Sequence, residues 1–376
     1  MSSESSRRAF LGAPLLAAAP MLQGQDAANR IRVALVGAGN RGTYLLRNLV
    51  RVPGVEVVAV CDIVEERQNM AAQVVAEKGT TARKWSDFRK MLDQQKDIDA
   101  VVLATPDWTH KDFDIAILEM GKHLYAEKPL ALTPADGKAI VTAAQQARGI
   151  FQVGFQLRHD PHRNAAEVFI QKGGIGKVLM CHGMRHSGDL PRNIPWYFDR
   201  TKCGDIMVDQ GIHILDLFTW AIGTHPIRAM GSGGTDLFVN DPPGRTVMDN
   251  YSVVFEYPGG VRVNFSHHYF DPPNFTGIQE RVFGSEGSID LITATWKPRT
   301  RKSEAIKLDV PNAGEDSTYM SLLAFAENIR GNNRKPVNNA QSALISTLVP
   351  IMGTRAIYEK RIVTWDEIAR EAGLEA

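Results

Sequence analysis

Residues 31–36, Ile-Arg-Val-Ala-Leu-Val, form a short apolar run rich in β-branched side chains, the pattern of a buried strand. A glycine-rich turn, Gly37-Ala38-Gly39-Asn40-Arg41-Gly42, interrupts it, and helical periodicity follows from Thr43 to Val50. The pattern then recurs. Strands are predicted at Val55–Val60, Ala100–Leu103, Lys122–Ala126 and Phe151–Phe155, with helices from about Lys111 to Met120 and from about Pro134 to Arg148. Short apolar strands alternating with helices of this length predict an α/β domain, a doubly wound parallel sheet of the Rossmann type, whose ligands gather at the strand C-termini.

The pattern changes in the second half. Val178–Arg185, Ile227–Gly231, Asp249–Tyr257, Val261–Tyr269 and Gln279–Phe283 read as strands, with Tyr257-Pro258-Gly259-Gly260 as a hairpin turn. Helical patterns cover Ile206–Ala221, Ser317–Arg330 and Asn339–Tyr358. A chain of 376 residues exceeds one simple core, and two domains are expected, 30–155 and 156–376.

Composition narrows the partners. With 43 basic and 42 acidic side chains and no basic cluster, the chain lacks the electrostatic footprint of a nucleic-acid or anionic-membrane binder. Cys61, Cys181 and Cys203 have neither disulfide nor zinc-ribbon spacing and read as buried thiols. Residues 1–28 differ in kind. Arg7-Arg8, followed by Phe10-Leu11 and a short alanine-rich run too short to span a bilayer, resemble a twin-arginine signal peptide. That implies contact with the twin-arginine translocase, a periplasmic or otherwise exported protein, and a cofactor loaded before export and then tightly retained.

The glycine loop has the right context for a dinucleotide: Gly37 for the turn, Gly39 for close approach of the pyrophosphate, Gly42 for helix packing, and Asn40 and Arg41 at the helix N-terminus. Asp62, at the end of the second strand, is placed to accept ribose hydroxyls and repel a 2′-phosphate, favouring NAD; the alternative is an N-cap for the segment from Ile63. Further motifs end the next strands: Thr105-Pro106 with His110, and Glu127-Lys128-Pro129. Asp209 and His213 lie four apart on the Ile206–Ala221 helix, with Asp216 three further on and either on the same face or solvated.

Taken together and in this order, these motifs resemble the glucose-fructose oxidoreductase / inositol dehydrogenase (Gfo/Idh/MocA) family over nearly the whole chain. The resemblance implies cofactor contacts at Gly37, Gly39, Asn40, Arg41, Gly42, Asp62, Thr105, Pro106, His110, Glu127 and Lys128. It also implies a C-terminal α+β domain with an open, mostly antiparallel sheet, a homo-oligomer, and helices that return to the first domain. Arg158 and His159 match the family's cleft-lining position, the alternative being a bridge between the domains, and Trp196 and Tyr197 either offer aromatic faces to a sugar or latch their loop onto apolar surface.

Oxidation of a secondary alcohol needs a base, a positive donor for the developing alkoxide and a hydride acceptor. His213, Lys128 and a nicotinamide fill these roles, with Asp209 orienting His213 or binding a hydroxyl. The leading expectation is an NAD-dependent oxidoreductase acting on a hydroxyl, or the ketone, of a sugar, polyol or glycoside. The alternatives are a glycosidase using transient oxidation at C3, elimination and re-reduction, and a non-catalytic sensor. No metal is expected: His182/His186 and His267-His268 lack a carboxylate or cysteine at ligand spacing.

Overall fold

The computed structural model describes residues 30–272 and 274–374. The expected signal segment, 1–28, lies outside them. Six parallel strands form the first sheet: β1 (Ile31–Val36), β2 (Val55–Cys61), β3 (Arg83–Trp85), β4 (Ala100–Leu103), β5 (His123–Ala126) and β6 (Phe151–Val153), in the order 3-2-1-4-5-6. The order reverses between β1 and β4, so the crevice at their C-terminal ends is where a dinucleotide lies in such a sheet. Around it pack α1 (Asn40–Leu49), α2 (Glu65–Ala76), α3 (Phe88–Gln94), α4 (His110–Glu119) and α5 (Pro134–Gln146). Thr133 caps α5, accepting the Asp136 amide, with Pro134 in its first turn. Strand β3 escaped the sequence reading because it is three residues long, exposed at two of them, and at the sheet edge.

After α6 (Pro161–Gln171), the second sheet has nine strands: β7 (Val178–His186), β8 (Arg228–Gly234), β9 (Asn250–Tyr257), β10 (Val261–His268), β11 (Gly277–Gly284), β12 (Gly287–Asp290), β13 (Thr295–Pro298), β14 (Ile306–Lys307) and β15 (Val363–Thr364). Their order is 14-13-12-11-7-10-9-8-15, and every pairing is antiparallel except β7 with β10. Strict alternation along β9 and β10 buries one face. That face packs on α8 (Ile212–Ile222), so closely at Gly183 that a Cβ there would stand 2.7 Å from the Phe218 ring. A four-residue helical turn, α7 (Arg200–Cys203), precedes α8.

The last helices join the two lobes. Leu322, Phe325 and Ala326 of α9 (Ser317–Arg330) are buried in one core with Val33, Leu35, Leu45 and Leu46 of the first sheet and α1. From α10 (Ala340–Glu359), the Thr347 hydroxyl accepts the Leu130 amide in the first lobe, while Ser346 bonds Asp216 on α8. The short α11 (Trp365–Glu371) closes the chain with a capping box, Thr364 with Glu367.

Candidate active site

The glycine loop leaves the C-terminal end of β1. Gly37 has φ +87°, and a Cβ on it would stand 2.5 Å from the Ala104 carbonyl oxygen; a Cβ on Gly42 would stand 1.8 Å from the Gly37 carbonyl oxygen. Only glycine fits either position. Gly39 is different: the one group within 4 Å of its missing Cβ is the Arg67 guanidinium, at 4.0 Å. The open side of Gly39 is the space a pyrophosphate needs, and the first-turn amides of α1 have no partners within the helix. Asp62, at the end of β2, accepts the Ala38 amide at 2.7 Å and the Val64 amide at 2.9 Å. It is braced against the loop, and α2 starts later, from Val64 as its cap, so Asp62 is not that helix's N-cap. Beside it Ile63 is 88% exposed, an apolar face at the adenosine end of the crevice that the sequence reading passed over. These features fit NAD.

The chemistry-bearing groups meet where β4, β5 and α8 converge. Residues Met207–Gly211 form a π-turn rather than the regular helix expected, running directly into α8. This turn presents both the carbonyl and the carboxylate of Asp209 to Lys128, whose Nζ donates to them at 2.8 and 2.9 Å. Among the described residues no hydrogen bond joins Asp209 to His213. Asp209 therefore orients Lys128 instead of the histidine. Burial alone would lower the Lys128 pKa, but Asp209, Asp107 and Glu127 outweigh it and hold the ammonium above its usual range. His213 is shifted the other way. Burial, with the charges of Lys128 and Arg185 behind it, pushes its pKa well below the ordinary value, and its buried Nδ1 has no partner among the described residues. The pair is a charged donor beside a neutral imidazole, the division that alcohol oxidation needs.

One further carboxyl belongs to this group and was missed. Asp107, in the turn after β4, is 6% exposed and stands near enough to Asp209 and Lys128 for the charge of each to act on it. Burial first, then the charge of Asp209, raise its pKa well above the carboxylate range, against the opposing pull of Lys128. A carboxyl buried beside a second carboxylate is pushed towards its neutral form. The sequence signal was present, since Asp107 follows Thr105-Pro106 at a strand end, but nothing in it shows which side chain Asp107 faces.

Other expected site residues serve mainly as supports. Glu127 Oε1 accepts Arg41 Nε at 2.8 Å, while the other side of that guanidinium donates to Thr318 at 3.2 Å; the two are a clamp between the glycine loop, β5 and α9. His110 is fully buried, its ring nitrogens 2.7 Å from the Pro129 carbonyl and 3.1 Å from the Thr105 carbonyl. It ties two strand-end loops together. Pro106 caps the turn holding Asp107, and the Thr105 and Thr109 hydroxyls bond at 2.7 Å.

Four expectations are corrected. Arg158 is 1% exposed and grips the Asp216 carboxylate with Nε and both oxygens engaged, while its Nη1 donates to the Val337 carbonyl; it lines no cleft. Asp216 accordingly points into the core, neither solvated nor beside His213. His159 is also buried, its Nε2 3.0 Å from Asn338 Oδ1. Tyr197 is 1% exposed with its hydroxyl 2.9 Å from that of Tyr269, whereas Trp196 stays partly exposed and meets the half-exposed Trp108 of the other lobe edge-on, centroids 5.4 Å apart. Trp108 and Trp196 form an aromatic contact between the two lobes. Finally, Asp271 does join the histidine pairs, folding back beside His186 and His268 just past the end of β10.

Comparison with known proteins settles the family. Residues 31–155 match the oxidoreductase family with an NAD-binding Rossmann fold, and residues 162–290 match the GFO/IDH/MocA C-terminal domain. Over 340 residues the chain is 30% identical to scyllo-inositol 2-dehydrogenase (NAD(+)) of Bacillus subtilis (strain 168), covering 87% of this chain and 94% of that one. This chain belongs to the Gfo/Idh/MocA oxidoreductase family. A levoglucosan dehydrogenase of Pseudarthrobacter phenanthrenivorans is 28% identical over 226 residues, 55% of this chain and 57% of that one. Among solved structures, levoglucosan dehydrogenase in complex with NADH and L-sorbose superposes with a TM-score of 0.78 at 19% identity, covering 90% of this chain and all of that one (100%). At that identity the likeness speaks for the fold. As a family member the chain is an NAD-binding oxidoreductase, and no helix among the described residues is long and apolar enough to cross a membrane.

Proposed function

We propose that this protein oxidises a secondary hydroxyl of a sugar, polyol or glycoside, or reduces the corresponding ketone, with NAD. The observation that carries the reading is the buried Lys128 ammonium, fixed by Asp209, beside a neutral His213 with a free ring nitrogen. His213 takes the hydroxyl proton; Lys128 steadies the alkoxide that develops; Asp209 holds Lys128 in place. Bound NAD supplies the hydride acceptor. Trp108 and Trp196 offer their faces to the C–H surfaces of a ring, which together with the polyhydroxylated substrates in the names of the relatives favours a carbohydrate.

Three further features belong to this reading. Arg7-Arg8 supports export through the twin-arginine route, and a protein exported folded carries its NAD as a retained prosthetic group. The open face of the nine-stranded sheet supports a homo-oligomer built on it. Light scattering that gives a monomer mass would remove that part.

The deciding experiment is release and mass analysis of the cofactor from protein purified in its native host, followed by a panel of polyols, free sugars and aryl glycosides. Growth of NADH absorbance with polyols or free sugars is the expected result. Aglycone release without net NADH would move the assignment to a glycosidase, and no turnover with any of them would sink both.

A further inference from the structure

Strands β7 and β10 lie side by side in parallel, with His186 opposite His268. Gly183 faces α8, so His186, three residues on, stands on the opposite face of the sheet, and His268 shares that face with it. The two imidazoles stack with centroids 3.8 Å apart. Both look at one carboxylate: Asp271 Oδ1 is 3.3 Å from His268 Nε2 and Oδ2 is 3.8 Å from His186 Nδ1. All three candidate ligand atoms lie within 4.8 Å of one another.

The surrounding bonds fix this arrangement. The Ser187 amide donates to the His268 carbonyl at 2.9 Å and the Asp271 amide to the Ser187 carbonyl at 3.0 Å, locking the two strand exits together. His186 Nε2 is 3.0 Å from Ser266 Oγ. With Nε2 donating to that hydroxyl, Nδ1 turns its lone pair towards the carboxylate, too far for a hydrogen bond and electrostatically repelled. In that tautomer a cation between them satisfies both groups. The same outer hydrogen bond is what orients a ligating histidine.

We propose that His186, His268 and Asp271 bind a divalent transition-metal ion of the zinc class, a site outside the cofactor crevice. Two imidazole nitrogens and one carboxylate oxygen suit a borderline ion, and the adjoining cleft of about 360 Å³, lined by Ser187, Gly188, Thr276 and Gly277 among others, supplies water for the open positions. The role follows from the strand pleat. Arg185 and Tyr269, on the other face of the same strand ends, hold Gln210 in the π-turn and the Tyr197 hydroxyl. The ion pins the strand ends behind the substrate cleft without touching substrate.

Tag-free, full-length protein, stripped with chelator, should take up one zinc ion per chain when titrated with zinc chloride in a calorimeter. Cobalt(II) should give a visible ligand-field band. Asp271→Asn and His268→Gln should abolish both signals, and Ser266→Ala should weaken zinc binding by about 10- to 100-fold. NAD affinity should be the same in stripped and loaded protein. Absence of saturable zinc uptake, or uptake undiminished in the variants, would overturn the site. Should Asp271→Asn lose its native circular dichroism, the cobalt spectrum of the wild type and the Ser266→Ala titration decide the question without it.

Discussion

His213 stays uncharged because burial and two neighbouring cations oppose its protonation, and that makes it a base at neutral pH. His213→Asn should lower kcat by about 10²- to 10⁴-fold, the usual contribution of a general base, while NAD affinity from fluorescence titration stays unchanged. An equal loss of NAD binding would mean the histidine holds the cofactor instead. Asp107 makes the opposite test. Because burial and the charge of Asp209 push the Asp107 carboxyl towards its neutral form, Asp107→Asn keeps a neutral polar group of the same size and should cost about 1 kcal/mol or less in kcat/KM, whereas Asp107→Ala removes the polar group and should cost more. If the two variants fall together, the charge state of Asp107 is irrelevant. A third residue contributes to the loss of stability in acid. Burial pulls the His159 pKa down to about 4, so between its ordinary 6.5 and 4 the unfolded chain binds a proton that the folded chain refuses. Stability is therefore present in full above about pH 6.5 and falls as pH drops towards 4, by about 3 kcal/mol from this group. Urea midpoints across that range should fall less steeply in His159→Gln. Sequence pattern reached Lys128 and His213 because each sits in a motif at a predicted strand end or helix. It could not reach Asp107, whose importance lies in a contact with Asp209 across the two lobes.

At the scale of elements, the π-turn Met207–Gly211 is the departure that matters most. Sequence spacing placed Asp209 and His213 on one helical face; the wider turn sends Asp209 to Lys128 instead. Nothing in residue periodicity distinguishes a π-turn from an α-turn, and the same limit hid Asp216. Its partner Arg158 comes from the turn after β6, and Ser346 from α10, so the network joins three distant elements in a fully buried place. Asp216→Ala leaves the Arg158 guanidinium buried without its counter-charge and should destabilise the fold by about 3–5 kcal/mol in denaturant titration. Affinity for NAD in the surviving folded fraction should not change, because the network lies away from the glycine loop. A variant as stable as wild type would show that water reaches Arg158. The strands β12 to β15 were also beyond reach: each is four residues or fewer, and β14 is exposed at both positions, so no apolar alternation marks them. Of the five longer strands of that sheet, β9 and β10 alternate strictly along their whole length, which made them visible.

At the scale of the molecule, the two sequence domains are not separable bodies. The cofactor lobe is completed by α9, which arrives from the far end of the chain: Leu322, Phe325 and Ala326 fill the core over Leu35, Leu45 and Tyr125, and Ser321 meets both the Tyr125 hydroxyl and the Gln152 amide. On the rim, Arg41 reaches Thr318, Tyr44 reaches Asp316 and Arg51 pairs with Glu315. Periodicity showed a helix at Ser317–Arg330 but not what it covers; only the family resemblance implied its return to the first domain. The cost of removing it can be bounded. Fully burying a large apolar side chain contributes about 1.5–3 kcal/mol, so uncovering Leu322 and Phe325 together with the surface beneath them forfeits a sum comparable with the whole stability of a domain, about 5–15 kcal/mol. Residues 30–160 expressed alone should therefore be soluble only as a loosely packed species, with native-like far-ultraviolet circular dichroism, strong binding of a hydrophobic dye, and no NAD affinity by calorimetry. Joining 315–331 to its C-terminus through a flexible linker should restore a cooperative thermal transition and NAD binding. A cooperative, NAD-binding fragment 30–160 without the added helix would show instead that the parallel sheet and its own helices suffice, and that α9 only docks onto a finished lobe.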